Sequence, residues 1–184
     1  MGDDYLINPL EFLISTLFSL YILAVMLRFL FGAVHADFYN PISQFLVRIT
    51  NPLLVPLRKI IPSIGKFDSA AVILMIILQL ASLTLILLLR GEGISSAVLI
   101  IATLATLFSL LINVFIFAII VQVIISWMNP GSYNPVNSLL HSLTSPLLRP
   151  IRQLLPPIAG IDLSPLFALI GLQVLRMLVL PLLV

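Results

Sequence analysis

Two arginines and two aspartates recur at one spacing: Arg58 stands ten residues before Asp68, and Arg152 ten residues before Asp162. A guanidinium and a carboxylate so placed can close a loop as an ion pair, because the arginine fork matches both carboxylate oxygens. In a second reading each arginine meets lipid phosphate and each aspartate caps the helix that follows. Neither reading is catalysis. The chain has only seven carboxylates, mostly near the start or at helix caps, and they suggest no general acid–base pair. His35 and His141 are isolated and lack metal-ligand spacing. With no cysteine there is no disulfide, thiolate ligand or thiol nucleophile. Ser-His-Asp order, HExxH, P-loop and GxGxxG patterns are missing too. The sequence therefore predicts a protein that is not an enzyme and has no cofactor and no metal.

A second set of polar residues falls inside apolar sequence. Gln79 and Gln173 each lie 11 residues past their aspartate. That is about 16 Å along a helix at 1.5 Å per residue, close to a bilayer midplane. Arg176 follows Gln173 by three residues, on the same helical face. An intramembrane arginine is costly and invites a permeation or gating role. The competing expectation is packing, with glutamines bonding each other between helices and Arg176 snorkelling or bonding carbonyls. Arg28, near the end of its run, reads as snorkelling, and Asn113 and Gln122 read as packing contacts.

The elements that must position these residues follow from composition. Of 184 residues, 61% are hydrophobic and 9% charged, against about 25% charged in a soluble domain. There is too little polar surface for a water-soluble globule, so the bilayer is the expected solvent. A net charge of +2 builds no basic face, which argues against nucleic acid as a partner. The opening MGDDYLINPLEF carries acids where a secretory signal carries bases, so the first apolar run reads as a retained helix. Runs 9–31, 69–90 and 163–184 each fit one crossing. Run 94–128 is too long for one upright span; a single tilted helix is favoured over two pieces, because no turn residues punctuate it.

The chain is also duplicated. Shifting it by 94 residues aligns 40–80 with 134–174 without a gap, and 15 of 41 positions match. The matches include Asn40 and Asn134, Pro41 and Pro135, and Gln79 and Gln173. Two repeats are expected, 1–93 and 94–184, each a span, a connector (40–62 and 134–156) and a second span. Two spans per half give both halves one orientation, hence parallel repeats. The fold class expected is all-α, a membrane bundle of four spans. In the first connector Ile42, Phe45, Leu46 and Ile49 form one helical stripe, Leu53, Leu54, Leu57, Ile60 and Ile61 a second, and Arg48, Arg58 and Lys59 lie off both. Such segments lie in the headgroup plane. Asn51-Pro52 and Ser145-Pro146 read as helix starts, Pro56 and Pro150 as bends, and Pro62 and Pro156 as stops, giving two-piece connectors. The connectors hold Arg48, Arg58, Lys59, Lys66, Arg149 and Arg152, against Arg90 alone on the other side. That bias predicts connectors on the cytoplasmic leaflet, meeting anionic lipid, and both termini on the outer side.

The phrases NPLLVPLRKIIPSIGKFDSA and SPLLRPIRQLLPPIAGIDLSP, preceded by Asn40-Pro41 and Asn134-Pro135, resemble the YggT (YlmG) family in its duplicated form. Both copies fit its P-L-L-x-P-[LI]-R-x-[IL]-[IL]-P phrase; the first continues with G-x-x-D-x-[SA], and the second with the same D-x-[SA] after Ala159-Gly160, its glycine one residue nearer the aspartate. Ser126-Trp127 before the second connector belongs to the same resemblance, with Arg28-Phe29-Leu30 near where the second half has Ile125-Ser126-Trp127. The resemblance implies a protein of bacterial inner membranes, with the termini then periplasmic, and a link to osmotic or ionic stress tolerance, cell division or assembly of membrane complexes. Two functions are expected from it and from the residues. The first is a scaffold or assembly factor with a protein partner or a second copy of itself. The second is a channel or transport-related protein in osmotic or ion homeostasis, using Gln79, Gln173 and Arg176.

Overall fold

The computed structural model describes residues 3–63, 67–93, 95–128, 134–154 and 162–183; Lys66 and Pro156 lie outside them. Among the described residues the chain is all-helical: α1 (Asp3–Ala33), α2 (Pro41–Ile60), α3 (Ser69–Arg90), α4 (Ser96–Met128), α5 (Pro135–Leu154) and α6 (Ser164–Leu183). Four of them, α1, α3, α4 and α6, are long and apolar enough to cross a membrane. The long third run is one continuous helix of 33 residues, about 50 Å at 1.5 Å per residue. Leu, Ile, Val and Phe dominate it, and without Gly or Pro it has no point at which to turn.

The ends of the helices are set by named residues. Asp68 caps α3, accepting from the Ala71 N–H at 3.3 Å. Gly91 closes the same helix at φ 67°, a left-handed conformation that only glycine enters without steric cost. After α1 that conformation falls to His35 at φ 53°, with the Ala36 N–H reaching back to Phe31 O at 2.9 Å. His35 thus serves a chain reversal.

The connectors differ from the two-piece expectation. Each is a single helix running through both internal prolines, Pro52 and Pro56 in α2 and Pro146 and Pro150 in α5. The Asn51-Pro52 and Ser145-Pro146 pairs are mid-helix. The starts lie at the earlier Asn-Pro pairs, where Asn40 Oδ1 accepts from the Ile42 N–H at 3.0 Å and Asn134 Oδ1 from the Val136 N–H at 2.9 Å. Pro41 and Pro135 take the first helical position, where a missing N–H costs nothing. An internal proline costs about 3 kcal/mol in isolation. Here all four internal prolines are exposed, so the carbonyls they release point away from the core. On the other face Ser43, Leu46, Thr50 and Leu54 form one unbroken buried stripe, with Leu139, Leu143, Thr144 and Leu148 as its counterpart in α5. That packing is what carries each helix past its prolines.

The chain forms two compact units, Met1–Phe29 with Leu46–Phe108 and Leu183–Val184, and Leu30–Phe45 with Ser109–Leu182. In the first, Ile22, Val25, Leu54, Ala70, Ala71 and Leu74 are among the buried core residues; in the second, Ile112, Ile119, Leu143, Leu148, Ala168 and Leu172 are. Helices α1, α2 and α4 each supply residues to both units, so the units do not divide where the sequence repeats divide.

Candidate functional site

Each connector is held to its own spans at two points. At the far end of α2, Arg58 pairs with Asp68, its terminal nitrogen on Oδ2 and its Nε 3.4 Å from Oδ1. At the far end of α5, Arg152 Nε donates to Asp162 Oδ2 at 2.8 Å. The aspartates also serve the following helix, so pairing and capping coexist in one carboxylate. Asp162 Oδ1 accepts from both the N–H and the hydroxyl of Ser164, at 2.9 and 2.5 Å. Partial burial works against the Asp162 carboxylate, but the Ser164 bonds and the Arg152 charge outweigh it and hold its pKa below the ordinary value. Pro62, just beyond α2, accepts the Ser69 hydroxyl on its carbonyl at 2.7 Å.

The second anchoring point involves residues whose role the sequence reading missed. Arg28 of α1 donates to the Thr50 hydroxyl at 2.6 Å and lies 3.4 Å from Val47 O. It is thus bonded to the connector and does not snorkel free. Thr50 is fully buried and gives its own proton to Leu46 O at 2.6 Å. Tyr21, two turns earlier, donates to Ile49 O at 3.2 Å. In the second half Gln122 of α4 accepts from the equally buried Thr144, whose hydroxyl also lies 2.9 Å from Leu140 O and donates to one of the two at a time. Arg28 and Gln122 do the same work 94 residues apart. The first spans therefore keep the register of the connectors, and Arg28 corresponds to Gln122, not to Ile125. The signal was present in the shift of 94, which extends upstream of Asn40.

Within the second unit the connector starts also meet. Asn40 is buried, and its Nδ2 donates to Pro135 O at 2.8 Å. Asn134 is exposed and only caps its helix.

The intramembrane polar residues fall in different units, Gln79 in the first and Gln173 and Arg176 in the second. Gln79 is 8% exposed, on the packed stripe of α3 with Ala71, Met75 and Ser82. Gln173 is exposed on α6. Neither amide has a hydrogen-bond partner among the described residues. Arg176 donates to Asn113 of α4 at 3.3 Å. One further pair escaped the sequence reading: Arg90 at the end of α3 binds both carboxylate oxygens of Glu11 in α1, its terminal nitrogen at 2.8 Å. Among the described residues no group of His, Asp and Glu could hold a metal ion. What the arrangement can do chemically is fix two helices against their spans and present Arg48, Lys59 and Arg149, with Phe45, Leu53 and Val55, on exposed surface.

The CCB3/YggT family model matches residues 7–89 and again 101–183, two copies separated by 94 residues at both ends. An uncharacterized protein of Pseudomonas aeruginosa is 49% identical over 170 residues, 91% of this chain and 86% of that one. An uncharacterized protein of Vibrio alginolyticus is 40% identical over 168 residues, 90% of both chains. The uncharacterized protein YggT of Escherichia coli is 38% identical over 170 residues, 92% of this chain and 88% of its own. No solved structure matches the chain.

Proposed function

The chain belongs to the CCB3/YggT family, and from that membership we propose that it is a non-catalytic scaffold of the bacterial inner membrane. Its two connectors are shelves lying amphipathically on the cytoplasmic leaflet, with both termini periplasmic. The observation that carries this reading is the double anchoring of each connector: Arg28–Thr50 with Arg58–Asp68, and Gln122–Thr144 with Arg152–Asp162. A helix tied at two points presents its outer face in a fixed orientation. That face carries Arg48, Lys59 and Arg149 beside exposed apolar side chains. Bases there attract anionic lipid by about 1 kcal/mol each, while the apolar side chains sit among headgroups and acyl chains. A membrane-complex or division protein docking on this face is the partner the reading implies, and osmotic tolerance is the phenotype it would touch.

The Arg176–Asn113 bond favours packing over conduction, since it occupies the one arginine that a pathway through α6 would use. The test is site-specific photo-cross-linking in native membranes from Arg48 and Arg149, with Leu88 of α3 as a control at the opposite membrane side. The expected result is one discrete protein adduct from the connectors, weakened by Arg58→Ala with Arg152→Ala. Ion flux into liposomes that disappears in Arg176→Leu, with no connector adduct, would replace the scaffold by a channel.

A further inference from the structure

The second unit contains a cavity of about 590 Å³ between the last turns of α4, the far end of α5 and the first turns of α6, within the range of small-molecule sites, about 300–1,000 Å³. Its two ends differ. Toward the connector it is bordered by Gln122, Ser126, Trp127, Arg152 and Asp162; deeper it is walled by Ile119, Val123, Leu166 and Leu169. From Leu163 to Leu169 the apolar wall descends about 9 Å into the bilayer at 1.5 Å per residue.

The two halves differ at this register. At the same register Phe29 stands where α4 has Val123, and its ring packs edge-on against Phe67 with centroids 5.3 Å apart. Met26 is buried there while its counterpart Ile120 is exposed; Val25 and its counterpart Ile119 are buried alike. Phe67 corresponds to Ile161, so neither ring of this pair has an aromatic counterpart in the second half. Ile124, Trp127 and Leu166 on its border are exposed, so the opening faces outward, where a lipid can enter it.

The polar end says which. Arg152 commits its Nε to Asp162, and its two terminal nitrogens donate to no described residue. Asp162 Oδ2 accepts that single bond. The rim thus offers one cation and one anion side by side, with net charge near zero. A phosphate suits the free guanidinium edge, and an ammonium suits the carboxylate and the face of Trp127. An anionic headgroup would bring a phosphate for Arg152 but no ammonium for Asp162. We infer that this cavity binds one zwitterionic phospholipid of the phosphatidylethanolamine class, its headgroup spanning Arg152, Asp162 and Trp127 and an acyl chain entering past Val123. The inference needs only that the chain sits in a bilayer, and it stands or falls separately from the scaffold reading.

Trp127 is the single tryptophan of the chain, so its fluorescence reports this opening alone. Phosphatidylethanolamine with brominated acyl chains is titrated into the purified protein in detergent. Saturable quenching is expected, half-complete at a concentration at least about tenfold lower than for brominated phosphatidylglycerol. Val123→Phe, which sets a ring in the cavity wall where the first half has Phe29, should abolish the saturable part. Asp162→Asn should keep saturation and lose the headgroup preference. The inference is overturned if wild-type quenching rises linearly without saturating, if the two headgroups quench alike, or if a folded Val123→Phe variant quenches as wild type does. Should Val123→Phe not fold, the wild-type selectivity decides by itself.

Discussion

Replacing Thr50 by valine and, separately, Thr144 by valine removes one hydroxyl from equivalent places in the two connectors, yet the costs should differ. Both residues are fully buried, and valine keeps their volume. Thr50 accepts from a guanidinium at 2.6 Å, whereas Thr144 bonds the neutral amide of Gln122. Bonds to charged groups contribute about 1.5–3 kcal/mol and neutral ones about 0.5–1.5. Between membrane helices such couplings shrink to about 0.6 on average and about 1.7 at most, because helices separated in the bilayer find other partners. Arg28 keeps Val47 O at 3.4 Å as a poorer acceptor, which trims the cost further. The expected coupling is about 1–1.5 kcal/mol for Arg28–Thr50 and about 0.5 kcal/mol for Gln122–Thr144. Two double-mutant cycles, Arg28→Leu with Thr50→Val and Gln122→Leu with Thr144→Val, measure them by reversible unfolding in mixed detergent micelles followed by circular dichroism. Equal couplings, or a larger one in the second half, would refute the idea that the half-buried guanidinium makes the first connector the firmer of the two.

Three further outcomes can be checked. The Asp162 carboxyl is held below its ordinary value, so the unfolded chain binds that proton more readily; the stability this supplies is whole above about pH 4 and is lost as pH falls through the lower folded value, and an acid titration of the unfolding midpoint should drop less in Asp162→Asn than in wild type. Asn40→Ala removes a helix cap and a buried bond to Pro135 together, so it should cost about 1–3 kcal/mol, against about 0.5–1 for Asn134→Ala, which loses an exposed cap alone; chemical unfolding of the two single variants compares them. Glu11 and Arg90 join residues 79 apart, and because the chain has no cysteine, a Glu11→Cys, Arg90→Cys pair should be bridged by a short bismaleimide in membranes, while either change alone should give no internal bridge.

The spans were legible because apolar runs of bilayer length have few other uses, and α3 occupies the run read for it. The Arg58–Asp68 and Arg152–Asp162 contacts were legible for a different reason: a spacing written twice survives only where both residues are needed at that distance. The connectors begin where they were read, but a second start was placed inside each, because Asn51-Pro52 carries the same local signal as Asn40-Pro41 and only the buried stripe through Leu46, Thr50 and Leu54 keeps the helix unbroken. That stripe is tertiary, and tertiary packing overrides a proline. Glu11–Arg90 could not be read, since their counterparts at the shift of 94 are Ala105 and Val184 and no repetition marks the pair. Gln79 and Gln173 show the reverse limit. They are identical in type and register, yet one is buried and the other exposed, because neighbours, which differ between the halves, set burial.

The bond from Asn40 to the Pro135 carbonyl crosses from one copy of the motif to the other. In a chain carrying a single copy, that carbonyl would have to arrive on another molecule, by diffusion in the plane of the membrane. Joining two copies in one polypeptide turns the encounter into an internal closure, whose effective concentration is fixed by the tether and not by expression level. A protein built this way assembles its paired connectors at any copy number. The duplication keeps the contact between the two connector starts within one polypeptide.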